Sequence, residues 1–267
     1  MNRLLSMDRL AIRPDGPTLS LALGPGESLA IVGPGGSGKT RLLRTLAGFE
    51  KPQQGTLEIK GDVFLPLPLP RRTRLQSFAQ QFPELGDLFA TTSLWEARQT
   101  PTNELTPSLA AAAEIMPALV RTQGIVFLDG HLDRLDPWML EAYKARLRKQ
   151  AANGLSLVAT TNRPDLLEGF SHLIVMRRHE ARFSGTCEDL LRYGVRHELQ
   201  VETQRQPGVR ALVEPFEATV EETNYGLRIW AKEGQELAAR LMLEGYGDVR
   251  LVVHRAPSIV EALQAIP

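Results

Sequence analysis

Residues 33–40 read GPGGSGKT, with the apolar run SLAIV before them and RLLRTLAG after. A glycine-rich loop between a strand and a helix lets backbone N–H groups converge on a phosphate chain, with the positive end of the helix behind them. The spacing matches G-x-x-x-x-G-K-[ST]. Gly33, Pro34, Gly35, Gly36, Ser37 and Gly38 are therefore expected to line the phosphates, with Arg41 beside them. Lys39 would reach the β- and γ-phosphates, and the Thr40 hydroxyl would sit on Mg²⁺. Much later, IVFLD ends at Asp129, placed to serve magnesium directly or through an intervening ligand, or else to cap a strand end. The next residue is Gly130. Together these residues suit the binding of Mg-ATP.

Elements must position them, and 267 residues suffice for one large domain or a medium one with a small attachment. A composition of 43% hydrophobic and 23% charged residues is ordinary for a soluble globular chain. Thirty-one basic residues balance thirty-one acidic ones, which gives no general affinity for nucleic acid. The lone Cys187 cannot form an internal disulfide and suits a reducing compartment. Charges interrupt MNRLLSMDRLAIRPDG before a signal-peptide core develops, and SLAAAAEIMPALV is too short to cross a bilayer.

Strand-like runs occur at 19–23, 55–63, 124–129, 155–161 and 172–178, separated by helical stretches from about Pro107 and over 138–150. Apolar runs alternating with helices predict an α/β fold with a mainly parallel sheet. The prolines of FLPLPLPRR at 64–72 favour an extended connector, and the short run LQSFAQ after it reads as strand-like at SFA. From about 196 the texture changes. HELQVET, PGVRALVEPF, EATVEE, LRIWAK, GQELAARLMLEGY and DVRLVVH follow in the order βαββαβ, a ferredoxin-like α+β pattern. The expected domains are 1–195 and 196–267.

At this point the chain resembles the ATP-binding subunit of an ABC transporter. LDRLDP at 132–137 resembles that family's D-loop, Gln80 and Gln81 fall at its Q-loop, and SLWEA at 93–97 resembles the segment that follows. FSGTCEDLL and APSIVEALQ resemble the closing segments of exporter-type subunits with a small carboxy-terminal domain. The resemblance implies a P-loop NTPase fold, with ATP and Mg²⁺ as ligands and Gln80 joining Thr40 and Asp129 at the metal. Gln80 is preferred to Gln81 because it directly follows SFA. The likeness also implies a membrane permease partner, a second ATPase subunit, a location on the cytoplasmic face of the membrane, and a regulatory or dimerising role for residues 196–267.

The departures from the family are informative. Its catalytic Glu is replaced by Gly130 and its switch histidine by Asn162. Its LSGGQ signature falls on LTPSL, with Pro107 at the first glycine, where no N–H exists. Thr106, Ser108 and Asp136 retain the polar groups that would face a partner's ATP, while Thr106 and Pro107 are equally suited to starting a helix. No aromatic residue precedes Phe49; Arg13 lies near the position where the family stacks adenine, and can stack or stand exposed without a ligand. The stretch between Gln80 and Leu105 is shorter than the family's helical subdomain. His131 and Asp133 are the residues nearest Gly130 that could substitute for the missing base.

The expected function is an ATP-binding subunit of an exporter-like transport complex with weak or absent hydrolysis, paired preferentially with a more complete ATPase. A homodimer would lack the catalytic groups at both sites. The alternative is a pseudo-ATPase that uses ATP to stabilise an association. A P-loop kinase would explain the missing base but neither LDRLDP nor the small second domain.

Overall fold

A computed structural model describes residues 3–193, 195–245 and 248–267. They form two compact units, 1–186 and 187–267. The first opens with β1 (Leu5–Ala11), β2 (Leu19–Leu23) and β3 (Ser28–Val32), followed by the glycine loop, α1 (Lys39–Leu46), β4 (Gln54–Ile59) and β5 (Val63–Phe64). Next come α2 (Leu75–Ala79), α3 (Gly86–Thr91), α4 (Pro107–Leu119), β6 (Ile125–Asp129), α5 (His131–Arg134) and α6 (Pro137–Ala152). It closes with β7 (Ser156–Thr161), β8 (His172–Arg177) and β9 (Glu180–Gly185).

Six of these strands make one sheet in the order β5-β6-β7-β3-β8-β9, parallel except for the β8–β9 pair. Both faces are covered, which is why its strands read as unbroken apolar runs. In β6, Val126 and Leu128 face a core built with α4 and α6. Ile125 and Phe127 face a second core, with α1 and a three-stranded antiparallel sheet ordered β2-β1-β4.

Strand β1, which lies outside the strand-like runs of the sequence, is the middle strand of the small sheet. Its register shifts between Met7 and Leu10, where Arg9 takes φ 46, and this bulge leaves Asp8 and Arg9 exposed and breaks the period-two alternation. The strand-like SFA is part of helix α2, whose buried Leu75, Phe78 and Ala79 have i, i+3, i+4 spacing. The preference for Gln80 over Gln81 therefore loses its basis.

Between Gln80 and Leu105 the chain forms α3 and two single 3₁₀ turns, Pro83–Leu85 and Thr102–Glu104, so the helical subdomain is short. Helix α4 begins as its sequence predicts, with Thr106 Oγ1 accepting from the Leu109 N–H at 3.3 Å and Pro107 in the first turn.

The second unit contains α7 (Cys187–Arg192), β10 (His197–Thr203), α8 (Gln206–Val213), β11 (Thr219–Thr223), β12 (Gly226–Ala231), α9 (Gly234–Glu244), β13 (Val249–Arg255) and α10 (Ile259–Ala265). Its sheet is antiparallel in the order β11-β12-β10-β13, and the βαββαβ succession is ferredoxin-like. The unit begins at Cys187 rather than 196, because α7 packs against α10. Helix α9 stops at Glu244; Tyr246, which the sequence reading included, lies outside the described residues.

Candidate functional site

The phosphate loop leaves β3 at the carboxyl end of the parallel sheet, beside the ends of β6, β7 and β8. Gly33 is required by a close approach: a Cβ there would run into the Met176 carbonyl of β8. Gly35 and Gly36 border open space, so the backbone at those positions is accessible to a ligand. Beneath them the Ser37 Oγ is buried without a hydrogen-bond partner.

Lys39 Nζ donates to the carbonyls of Gly33 and Pro34, at 2.7 and 2.9 Å. Partial burial lowers its pKa, opposed by the carboxylates of Asp133 and Asp129. An ammonium folded onto two loop carbonyls can exchange those neutral acceptors for phosphate oxygens, which bind it more strongly.

Thr40 Oγ1 donates to Asp129 Oδ1 at 3.1 Å, so the hydroxyl and carboxylate expected at magnesium are in contact across the α1–β6 gap. Thr160 was missed by the sequence reading. It lies opposite Asp129 in the β6–β7 register, and its Oγ1 donates to the same Oδ1 at 2.6 Å, orienting the carboxylate. The paired threonines ending the apolar run LSLVATT are its sequence signal. Magnesium is commonly held by one or two carboxylates together with substrate phosphates, and this donor set fits it.

The other expected site residues are placed differently. Arg41 turns toward Glu50, at 3.7 Å, and Arg13 lies 3.8 Å from Glu180. Gln80 is exposed at the end of α2, and Gln81 follows it on the surface; neither belongs to the Thr40–Asp129–Thr160 cluster. Thr106 caps α4. Asp136 caps α6 by accepting from the Met139 N–H at 2.9 Å, while Ser108 Oγ donates to its carboxylate at 3.1 Å and accepts its N–H at 3.0 Å.

Among the described residues, the two candidate bases beside Gly130 are His131 and Asp133. Gly130 has φ 65 and begins α5, with nothing near the position a Cβ would take. His131 Nε2 lies 3.6 Å from Glu114, whose carboxylate also takes Arg134 at 3.1 Å. Burial, helped by the Arg134 guanidinium, lowers the His131 pKa to about 4, so its imidazole is a weak base. Asp133 accepts from the Thr161 hydroxyl and, at 2.7 Å, from the N–H of Asn162. Asn162 is exposed.

A loop of this form at the carboxyl end of a parallel sheet, with Lys39, Thr40 and Asp129 so placed, defines a P-loop NTPase fold. Residues 17–162, more than half of the chain, match the ABC transporter family, and the chain belongs to it. The spermidine/putrescine import ATP-binding protein PotA of Mesoplasma florum is 28% identical over 201 residues, 64% of this chain and 57% of that protein. The taurine import ATP-binding protein TauB of Pseudomonas aeruginosa is 58% identical over 43 residues, 16% of each. The chain thus spans little more than half of the first relative and far less of the second. Among solved structures, an ATP-binding subunit of an ABC transporter has a TM-score of 0.58 at 17% identity, covering 71% of this chain and 92% of that one. An ATP-bound bacterial Atm1-family ABC exporter has 0.57 at 19%, covering 72% and 40%. At these identities the structures establish the fold alone. Among the described residues, no helix is long and apolar enough to cross a membrane.

Proposed function

We propose that this chain is an ATP-binding subunit of an ABC transport complex, one that holds Mg-ATP and hydrolyses it slowly or not at all. The observation that carries the reading is the contrast at the end of β6. Asp129 is bonded to Thr40 and Thr160, while the adjoining position is a glycine. Bound magnesium would supply charge neutralisation at the phosphates. The chain's own contributions are the loop backbone, the Lys39 ammonium, the Thr40 hydroxyl and the oriented Asp129 carboxylate. A general base contributes on the order of 10²–10⁴-fold, and among the described residues neither the weakly basic His131 nor the hydrogen-bonded Asp133 takes that part beside Gly130.

By this reading the subunit sits on the cytoplasmic face of a membrane through a permease partner. It pairs with a second ATPase subunit that supplies the catalytic Glu and the signature glycines, and residues 187–267 serve regulation or dimerisation. The proposal carries no direction of transport: the tail resembles exporter subunits, whereas the two curated relatives are named for import. One observation favours a second reading, a nucleotide-dependent scaffold: Thr106 and Asp136 are engaged in capping helices and Ser108 in bonding Asp136.

Single-turnover mixing of excess protein with labelled Mg-ATP tests the proposal. Intact ATP bound over an hour is the expected result. Steady phosphate release that Lys39→Ala eliminates would overturn the claim of a holding subunit.

A further inference from the structure

In the first unit the chain at 70–76 runs antiparallel to the chain at 95–103 and is tied to it along its length. Arg74 forms a bridge with Pro101, and the N–H groups of Leu75 and Gln76 donate to the carbonyls of Thr100 and Arg98 at 3.1 and 2.8 Å. The Thr102 N–H donates to the Thr73 carbonyl at 2.8 Å, and Arg74 Nη1 to Gln99 Oε1 at 3.0 Å. The Arg98 guanidinium lies over the Trp95 ring, 4.6 Å from its centroid. The two segments therefore present one continuous strip of surface.

That strip is basic. No acidic residue stands between Asp62 and Glu84, a span that holds Arg71, Arg72 and Arg74. All three are exposed, and among the described residues neither they nor Arg98 has an ion-pair partner. The acidic residues of the facing segment 93–104 are Glu96 and Glu104, both exposed, so four arginines stand against two glutamates. In a chain whose 31 basic and 31 acidic residues cancel, the excess is local. Apolar side chains accompany it. Leu65 and Leu69 pack against the two cores, whereas Leu67 between them is 76% exposed and Trp95 is 49% exposed.

We propose that this strip is a contact surface for an anionic lipid membrane, with Arg71, Arg72, Arg74 and Arg98 against the headgroups and Leu67 and Trp95 entering the interface. Basic side chains are drawn to an anionic leaflet without a defined partner. An indole settles at headgroup depth, where one end is apolar and the other wet. Guanidiniums spread along a strip and flanked by apolar side chains suit a surface of many charges over an apolar layer better than a single anionic ligand. The inference rests on the reading of a membrane-associated subunit and adds a direct attachment to the one through a permease.

The test is co-sedimentation of the full chain, without nucleotide, with phosphatidylcholine vesicles and with vesicles that also contain about 30% phosphatidylserine, at about 0.1 M salt. The wild type is expected to bind the mixed vesicles alone, and to be released at about 1 M salt, where the Debye length falls to ~3 Å. Arg71→Gln combined with Arg72→Asn is expected to weaken partition about 30-fold, at about 1 kcal/mol for each arginine; Asn is chosen because Arg72 has φ 60. Leu67→Ser is expected to weaken it about ten-fold. Equal binding to the two kinds of vesicle, binding to neither, or either variant binding as the wild type does would overturn the inference and leave the strip to an acidic protein partner. Since neither nucleotide nor permease is present, that failure leaves the ATP-holding reading and the attachment through a permease standing. Loss of ATP binding by the wild type would overturn that reading and leave the vesicle result untouched.

Discussion

Two regions of the first unit carry similar polar residues and treat them differently. At residues 33–40 the loop leaves its groups available: Gly35 and Gly36 border open space, Lys39 rests on neutral carbonyls, and Thr40 reaches a carboxylate that Thr160 has already aimed. Between Thr106 and Asp136 most of the groups are engaged: Thr106 and Asp136 cap helices, Ser108 bonds Asp136, and Asp133 holds the chain at 161–162. A residue type at the right spacing is thus only a candidate. What it can do depends on which partners already hold it.

The sharpest way to break this comparison is Lys39→Ala. ATP at a hundredfold excess over Kd stabilises a fold by roughly 2.7 kcal/mol, a melting shift on the order of 5–10 °C for a unit of this size. Thermal melts with Mg-ATP are expected to show that shift in the wild type and none in the variant. A retained shift would mean that the loop is not the binding site.

Gly130→Glu probes the other side. With a competent partner subunit present, phosphate release is expected to rise about 100-fold, the low end for a positioned base. The positive φ costs about 1–2 kcal/mol of stability, while the open space around a Cβ there imposes no clash. Gly130→Gln shares that strain without the base, so equal rates in the two variants would place the block at Asn162 or in the signature segment.

What could be read from the sequence follows the same division. The phosphate loop was legible because its chemistry is in the backbone, and glycines before Lys39 and Thr40 announce it locally. The cap at Thr106 was legible too, as a Thr-Pro before an alanine-rich run. Strand β1 was hidden because the bulge at Arg9 disrupts the alternation, and α2 because five residues are too few to separate helical from strand spacing. Thr160 was not legible from spacing, because it reaches Asp129 only through the register of β7 with β6.

His131 gives an intermediate effect. Its folded pKa of about 4 lies below the ordinary 6.5, so the folded state disfavours the proton that the unfolded chain takes up. Its contribution is complete above pH 6.5 and is lost as pH falls toward 4, on the order of 2 kcal/mol at pH 5. His131→Gln should flatten the acid limb of stability measured by urea unfolding between those pH values. An unaltered limb would show that the imidazole is not held neutral by burial.

The smallest expected effect separates the two regions most directly. Asp136→Ala removes the cap of α6 and the partner of Ser108, and should cost about 1 kcal/mol, a fall in melting temperature of about 2–4 °C. If Asp136 is engaged in holding α6, the ATP-induced shift of the variant stays equal to that of the wild type, because nothing in the loop is touched. The opposite pattern, unchanged stability with loss of ATP-dependent association to a partner subunit, would mean that the carboxylate is free to face a partner's nucleotide. The division between available and engaged groups would then fail at Asp136, the residue where two helices meet the D-loop-like segment.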